Sequence, residues 1–248
     1  MATSSISTQK NELLTALPSD VLANLLPRLS RVWLSHRQIL FVAEQPIEAV
    51  FFLESGMALL VTYLHGGVQA EVGIIGREGM VGTPLLHGAD TSFTEGFMQI
   101  PGKAMRMGAA AFQQELAANE AFRTLLLRYG EALQAQISQA AACNGRHGLE
   151  QRLARWLLMA HDRVAAEELP FTQDFLAMML GVHRPSITIS AGILQRAGLI
   201  RCARGQITIL DRRSLEAASC DCYRAVRQRF ERLLGRSHGP RMRTGIST

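Results

Sequence analysis

The sequence predicts an α+β chain: an N-terminal β-roll, a long dimerisation helix and a C-terminal winged helix-turn-helix. Three observations predict it. Short β-rich runs punctuated by turn residues fill residues 32–108. A two-position heptad seam runs through residues 109–143. A helix, a tight turn, a second helix and a two-strand hairpin occupy Thr172 to Leu210. At 248 residues there is room for two modest domains, each with its own core.

Residues 1–17 read as a loose arm with a short helix. Pro18-Ser19-Asp20 caps a helix at Val21 to Leu29. Strands are expected at Ile39–Ala43, Val50–Leu53, Met57–His65, Gln69–Ile75, Phe93–Ile100 and Ala104–Met107. The turns between them fall at Glu44-Gln45-Pro46, Glu54-Ser55-Gly56, Gly66-Gly67 and Pro101-Gly102. In the long helix, Phe122, Leu126, Tyr129, Leu133, Gln136, Ala140 and Cys143 step alternately by four and three. Such a seam meets either a second copy of itself or its own β-domain. As a dimer seam, Gln136 would fix register, Ala140 would allow close approach, and Cys143 would lie near the axis as a buried free thiol. Asn144-Gly145 is expected to end the helix and mark the domain boundary.

Beyond it, Glu150 to Val164 forms an amphipathic helix with Leu153, Trp156, Leu157, Met159 and Ala160 inward, leaving Arg146, Arg152, Arg155 and Arg163 near DNA or in solvent. Thr172 is a good N-cap, and Phe175, Leu176, Met179 and Leu180 form the stripe of the next helix. Gly181 ends it in a left-handed conformation. The second helix starts near Arg184 with Pro185 in its first turn. Ile187, Ile193, Leu194 and Ala197 give its inner face, and His183, Arg184, Ser186, Thr188 and Ser190 its outer one. Leu199–Ala203 and Gln206–Leu210 form the wing about Arg204-Gly205. Asp211 to Arg232 is helical, and residues 235–248 form a disordered tail. The expected domains are 1–112, 113–144, 145–234 and 235–248.

Charge agrees with a DNA-binding second half. Residues 1–143 carry 9 basic and 12 acidic side chains; residues 144–248 carry 17 and 9, and all 17 are arginine. The positions expected to face DNA are Thr172, Gln173, His183, Arg184, Ser186, Thr188, Ser190, Arg201 and Arg204. Arg184 leads as base reader, because its fork spans guanine O6 and N7. The spacing of Cys143, Cys202, Cys220 and Cys222 fits neither a zinc ribbon nor a disulfide scaffold, so no metal or cofactor is expected. No signal peptide opens the chain and no apolar run reaches 18 residues, which points to the cytoplasm and away from membranes. No nucleophile–base pair or P-loop supports an enzyme. A protein-interaction adaptor with a vestigial helix-turn-helix is the competing reading.

Thr172 to Leu210, with its Gly181 turn and its Ala197-Gly198-Leu199-Ile200 exit, resembles the DNA-binding domain of the Crp/Fnr family of bacterial transcription regulators. Phe51-Phe52-Leu53-Glu54-Ser55-Gly56 resembles that family's hairpin into its cyclic-nucleotide-binding-like roll. The resemblance implies a parallel homodimer on Phe122, Leu126, Tyr129, Leu133, Gln136 and Ala140. It also implies a near-palindromic duplex target, with RNA polymerase and a small-molecule effector as further candidate partners. In the family's cyclic-nucleotide branch, a Glu after a Gly binds ribose and a later Arg pairs with phosphate. Here Gly82 is followed by Thr83, no arginine lies between Arg77 and Arg106, and Phe93 stands about where one is needed. Cyclic AMP binding is therefore not expected. The iron–sulfur branch needs N-terminal cysteines, whereas the first here is Cys143. For haem, His36, His65 and His87 are ligand candidates by type alone. The family's usual Glu and Arg readers are replaced by Pro185 and Ile189, so its familiar operator is not implied.

Overall fold

The computed structural model describes residues 9–64, 69–164 and 166–235. Its N-terminal half is a roll of two four-stranded antiparallel sheets. One has the order β1-β8-β3-β6, with β1 at Ser30–Leu34, β3 at Ala49–Leu53, β6 at Met80–Val81 and β8 at Gly102–Gly108. The other has the order β2-β7-β4-β5, with β2 at Ile39–Phe41, β4 at Met57–Tyr63, β5 at Gln69–Ile75 and β7 at Glu95–Ile100. The expected strands stand, three of them shorter, two longer by one to three residues and one unchanged. Two more appear: β1, which carries an exposed Trp33, and the two-residue β6. His65 and the Gly66-Gly67 turn lie outside the described residues, as do residues 1–8 and 236–248.

Helix α1 (Glu12–Ala16) is tied to the roll by Asn11. Its amide donates to the carbonyls of Leu53 and Gly79, both at 2.8 Å, while its oxygen accepts from Leu13 and Leu14. Helix α2 (Ser19–Leu25) follows and ends in a 3-10 turn at Leu26–Arg28.

The long helical segment is two helices, α3 (Ala109–Ala118) and α4 (Glu120–Arg146). Asn119 breaks it by taking an extended conformation, and its side chain caps α4 by accepting from the Phe122 amide at 3.0 Å. Asn144-Gly145 does not end α4. A glycine costs a helix only about 1 kcal/mol, and the helix runs to Arg146, where His147 turns extended.

The heptad seam of α4 faces its own roll rather than a second chain. Phe122, Leu126, Tyr129, Leu133 and Gln136 are all buried within the single chain. The Tyr129 hydroxyl donates to the Met80 carbonyl, and the Gln136 amide donates to the Ile74 carbonyl, both at 3.1 Å. Ala140 is half-buried. Cys143 is fully buried, against residues of the C-terminal half.

That half comprises α5 (Leu149–Arg163), β9 (Glu168–Leu169), α6 (Gln173–Leu180), α7 (Arg184–Arg196), the wing strands β10 (Ile200–Ala203) and β11 (Gln206–Ile209), α8 (Arg212–Ala218) and α9 (Cys222–Leu234). The three strands form one sheet in the order β10-β11-β9. The single helix expected over Asp211–Arg232 is thus broken at Ser219–Asp221. Helix α9 runs back along α4: Cys222 meets Gln139, and Arg229 pairs with Glu131. Its Val226 and Phe230 complete the core of the roll.

The second core is shared between the halves. Met57, Leu59, Val61, Ile74 and Phe97, from the β2-β7-β4-β5 sheet, pack with Trp156, Leu157, Leu176 and Ile187 of the winged domain. Trp156 sits at the centre, edge-on to Phe171 at 4.9 Å and to Phe175 at 5.7 Å, and its indole N–H donates to Glu71 on β5. Burial raises the Glu71 carboxyl above its ordinary range, and the bond from Trp156 partly offsets this.

Arg155 and Arg163, expected near DNA or in solvent, are instead buried at this junction. Arg163 lies 2.7 Å from Glu78 and also donates to the Met159 carbonyl and to Gln136. Both arginines point inward because α5 is covered on two sides, by its own domain and by the roll.

Candidate nucleic-acid interface

The helix-turn-helix is built as its sequence dictates. The Thr172 hydroxyl accepts from the Phe175 amide at 3.1 Å, capping α6. Gly181 ends α6 at φ +62°, which is favourable only without a Cβ, and Val182 N–H returns to the Ala177 carbonyl. Pro185 lies in the first turn of α7, where no intrahelical donor is lost.

The inner face of α7 is Ile187, Ser190, Ala191 and Leu194. Ile193 and Ala197, expected inside, are exposed. Ser190, expected to face DNA, is 2 % exposed and donates to Glu150 on α5 at 3.1 Å. It positions α7 against α5 and is removed from the set of readers. The helical periodicity explains the exchange: Ser190 lies three residues from Ile187 and four from Leu194, on their side of the helix.

The outer face presents His183, Arg184, Thr188 and Ile189, with Ser186 half-buried beside them. Among the described residues, Arg184 is held by an exposed contact to Asp174 at 3.5 Å. Such a pair is worth about 0–1 kcal/mol, so the guanidinium can leave it for a stronger anion. Thr188 donates to Gln173 at 2.7 Å, joining the reading helix to the start of α6. Arg201 and Arg204 are exposed on the wing. Arg204 at φ +49° and Gly205 at φ +77° make a two-residue turn with both positions left-handed, which suits a tight hairpin. The Cys202 amide donates to Gln195 at 2.7 Å and fixes the wing to α7.

A cavity of about 560 Å³ lies between the roll and α4. Phe41, Leu60 and Val72 form its apolar wall; Thr83 and His87 lie on the opposite side, in a 3-10 turn led by Gly82 at φ +102°. None of its lining residues, among those described, is arginine or lysine, and its one carboxylate, Glu131, is paired with Arg229. Phe93 stands at its mouth, 76 % exposed. His36 is engaged elsewhere: its Nδ1 meets the Gln99 carbonyl at 2.8 Å.

One grouping lies outside the expectations. Cys143, His147, Cys220 and Cys222 converge at the junction of α4 and α9, with their ligand atoms all within 4.8 Å of one another. The signals in the sequence are a cysteine in α4, a histidine four residues on at its C-terminal cap and a later Cys-x-Cys, but 77 positions separate Cys143 from Cys220.

Residues 151–218 match the Crp-like helix-turn-helix domain family. Among solved structures, the chain is similar to FixK2 from Bradyrhizobium japonicum, at 14 % identity and a TM-score of 0.67 over 77 % of this chain and 98 % of that one. It is similar to the global regulator CLP from Xanthomonas campestris, at 16 % identity and a TM-score of 0.64 over 77 % and 99 %. It is also similar to a CRP-family transcriptional regulator from Thermus thermophilus, at 17 % identity and a TM-score of 0.62 over 84 % and 98 %. No curated protein sequence matches the chain. At such identities these likenesses establish the fold, and the domain match supplies its DNA-binding part.

A Crp-like helix-turn-helix with its reading helix exposed, carried on a cyclic-nucleotide-binding-like roll, defines a DNA-binding transcription regulator. Residues 151–218 are a Crp-like helix-turn-helix domain, and the fold of the whole chain is that of Crp/Fnr-type regulators. Among the described residues, no helix is long and apolar enough to cross a membrane.

Proposed function

We propose that the chain acts as a homodimer, reads a near-palindromic duplex through Arg184, and does so without cyclic AMP and without catalysis. The exposure of α7 with Arg184 at its start carries the reading. His183, Ser186 and Thr188 supply shorter contacts. Thr172 and Gln173 offer phosphate contacts at the α6 N-terminus, where free amides favour anions. Arg201 and Arg204 reach the backbone from the wing. Ile189, 63 % exposed on the same helix, suits a thymine methyl.

Because the predicted seam of α4 is spent on the roll, the dimer face moves about 150° around the helix. There Thr124, Leu127, Glu131, Gln134, Ser138 and Ala141 step by three and four along an exposed face, whose edge at Glu131 and Gln134 borders the cavity. Two chains paired there would present reading helices about 34 Å apart, one turn of duplex.

Arg184→Ala is expected to weaken operator binding by about 1–3 kcal/mol and to relax preference at one base position. Binding to a panel of single-base operator variants checks this. Equal weakening on every duplex would make Arg184 a phosphate contact and refute its reading role. For the roll, no arginine or lysine lines the cavity among the described residues, and an unpaired buried phosphate costs several kcal/mol. Calorimetry with cyclic AMP is expected to show no heat of binding at micromolar concentration; saturable heat there would overturn the proposal.

A further inference from the structure

We propose that Cys143, His147, Cys220 and Cys222 form a tetrahedral Cys3His site for a thiophilic divalent ion, Zn2+ first, which clamps the winged domain to the long helix. Cys143 and His147 lie one turn apart at the end of α4. Cys220 and Cys222 flank the start of α9. The Sγ atoms of Cys143 and Cys220 are 3.4 Å apart, as are Cys222 Sγ and His147 Nδ1. Ligands about 2.3 Å from a tetrahedral zinc stand roughly 3.8 Å from one another. The two close pairs would open by about 0.4 Å to accept the ion, and the wider pairs, none beyond 4.8 Å, would draw in. A disulfide between Cys143 and Cys220 would instead have to close to about 2.05 Å.

Three neighbours suit a metal centre better than a set of free thiols. His147 turns Nδ1 to the cluster while its Nε2 lies 3.6 Å from Asp221, the carboxylate–histidine arrangement that orients a metal-bound imidazole. The Gln139 amide donates to Cys222 Sγ at 3.1 Å, a bond that a thiolate accepts well. Arg155 is 3 % exposed, its Nε has no hydrogen-bond partner among the described residues, and its charge acts on Cys143. Binding one Zn2+ to three thiols and a neutral imidazole releases three protons to solvent and leaves a centre of charge −1. Arg155 is the buried cation that balances it.

The ligand pairs bracket the stretch from Gly148 to Ser219, which holds α5 to α8 and the wing. An ion here closes a loop of that length and holds the first and last parts of the domain against α4, an arrangement in which a clip constrains much chain entropy. The site does not depend on how α7 reads DNA.

The test uses the full chain, purified without a histidine tag under reductant. The isolated protein is expected to hold one zinc per chain. After zinc removal, Co2+ is expected to bind one per chain and to give the intense thiolate-to-cobalt absorption of a tetrahedral sulfur site. Cys220→Ser and Cys222→Ser should abolish that absorption, Cys202→Ser should leave it, and Asp221→Asn should weaken affinity about 10–100-fold. Circular dichroism matching the metal-free parent shows that the serine variants are folded. Should a serine variant unfold, the Co2+ titration of the unaltered chain still decides. Failure of the reduced chain to bind stoichiometric Co2+ would overturn the site, as would retention of the absorption in folded Cys222→Ser. A Cys143–Cys220 disulfide in the isolated protein, with no metal uptake after reduction, would overturn it in favour of a redox pair.

Discussion

Arg163→Leu is expected to destabilise the folded chain by about 3–5 kcal/mol, the cost of leaving one member of a buried ion pair alone. Arg163 and Glu78 are both buried, 2.7 Å apart, where the end of α5 meets the loop between β5 and β6. The Nε–H does not point along the line between them, so the pair is held by charge and by the guanidinium's other bonds, to Met159 and Gln136. Among the described residues, Glu78 keeps the Gly76 amide as its donor when Arg163 is removed. The backbone around it is closely packed: a Cβ at Gly76 would come within 2.6 Å of the Arg163 stem, and one at Gly79 would collide with the Tyr129 hydroxyl. Urea unfolding followed by circular dichroism measures the loss. The double variant Arg163→Leu with Glu78→Leu is expected to recover much of it, because no lone charge remains. A double variant as unstable as the single one would show that shape, rather than charge, is what the pair supplies.

Trp156→Ala is expected to cost about 3–5 kcal/mol as well, and to loosen the winged domain from the roll. Trp156 fills the centre of the shared core, contacts Phe171 and Phe175 at ring edges, and is the hydrogen-bond donor to Glu71. Its removal leaves a cavity and a carboxylate without that bond. Trp156→Phe keeps most of the volume and is expected to cost less than the alanine. Amide exchange gives the second readout: β4, β5 and α5 should lose protection together in Trp156→Ala, since they line one core. Loss confined to α5 would mean that the halves are independent.

How far the sequence carried is clearest in particular elements. Thr172, Gly181, Pro185 and Arg204-Gly205 specify their caps and turn through local chemistry, and the structure places each in that role. The seam of α4 was legible as a buried face, but periodicity states that a face is covered, not by what. The roll covers it, through polar partners such as Gln136 to Ile74 that no hydropathy pattern records. Ser190 misled because a short hydroxyl reads as surface, whereas Glu150, 40 positions away, supplies its buried partner. Arg155 and Arg163 misled for the same reason: each lies on a helix whose second covered side belongs to the other half of the chain. The Cys3His cluster was invisible to spacing rules because its two halves are separated by the whole stretch from α5 to α8.

The most direct test of an arginine-bearing α7 docked in duplex DNA by a paired chain is a salt titration on a duplex selected by this protein from random sequence. The expected result is two chains per near-palindromic duplex, with log affinity falling steeply and linearly against log salt, about 0.9 for each phosphate neutralised. A slope near zero, or saturation at one chain per duplex, would contradict it.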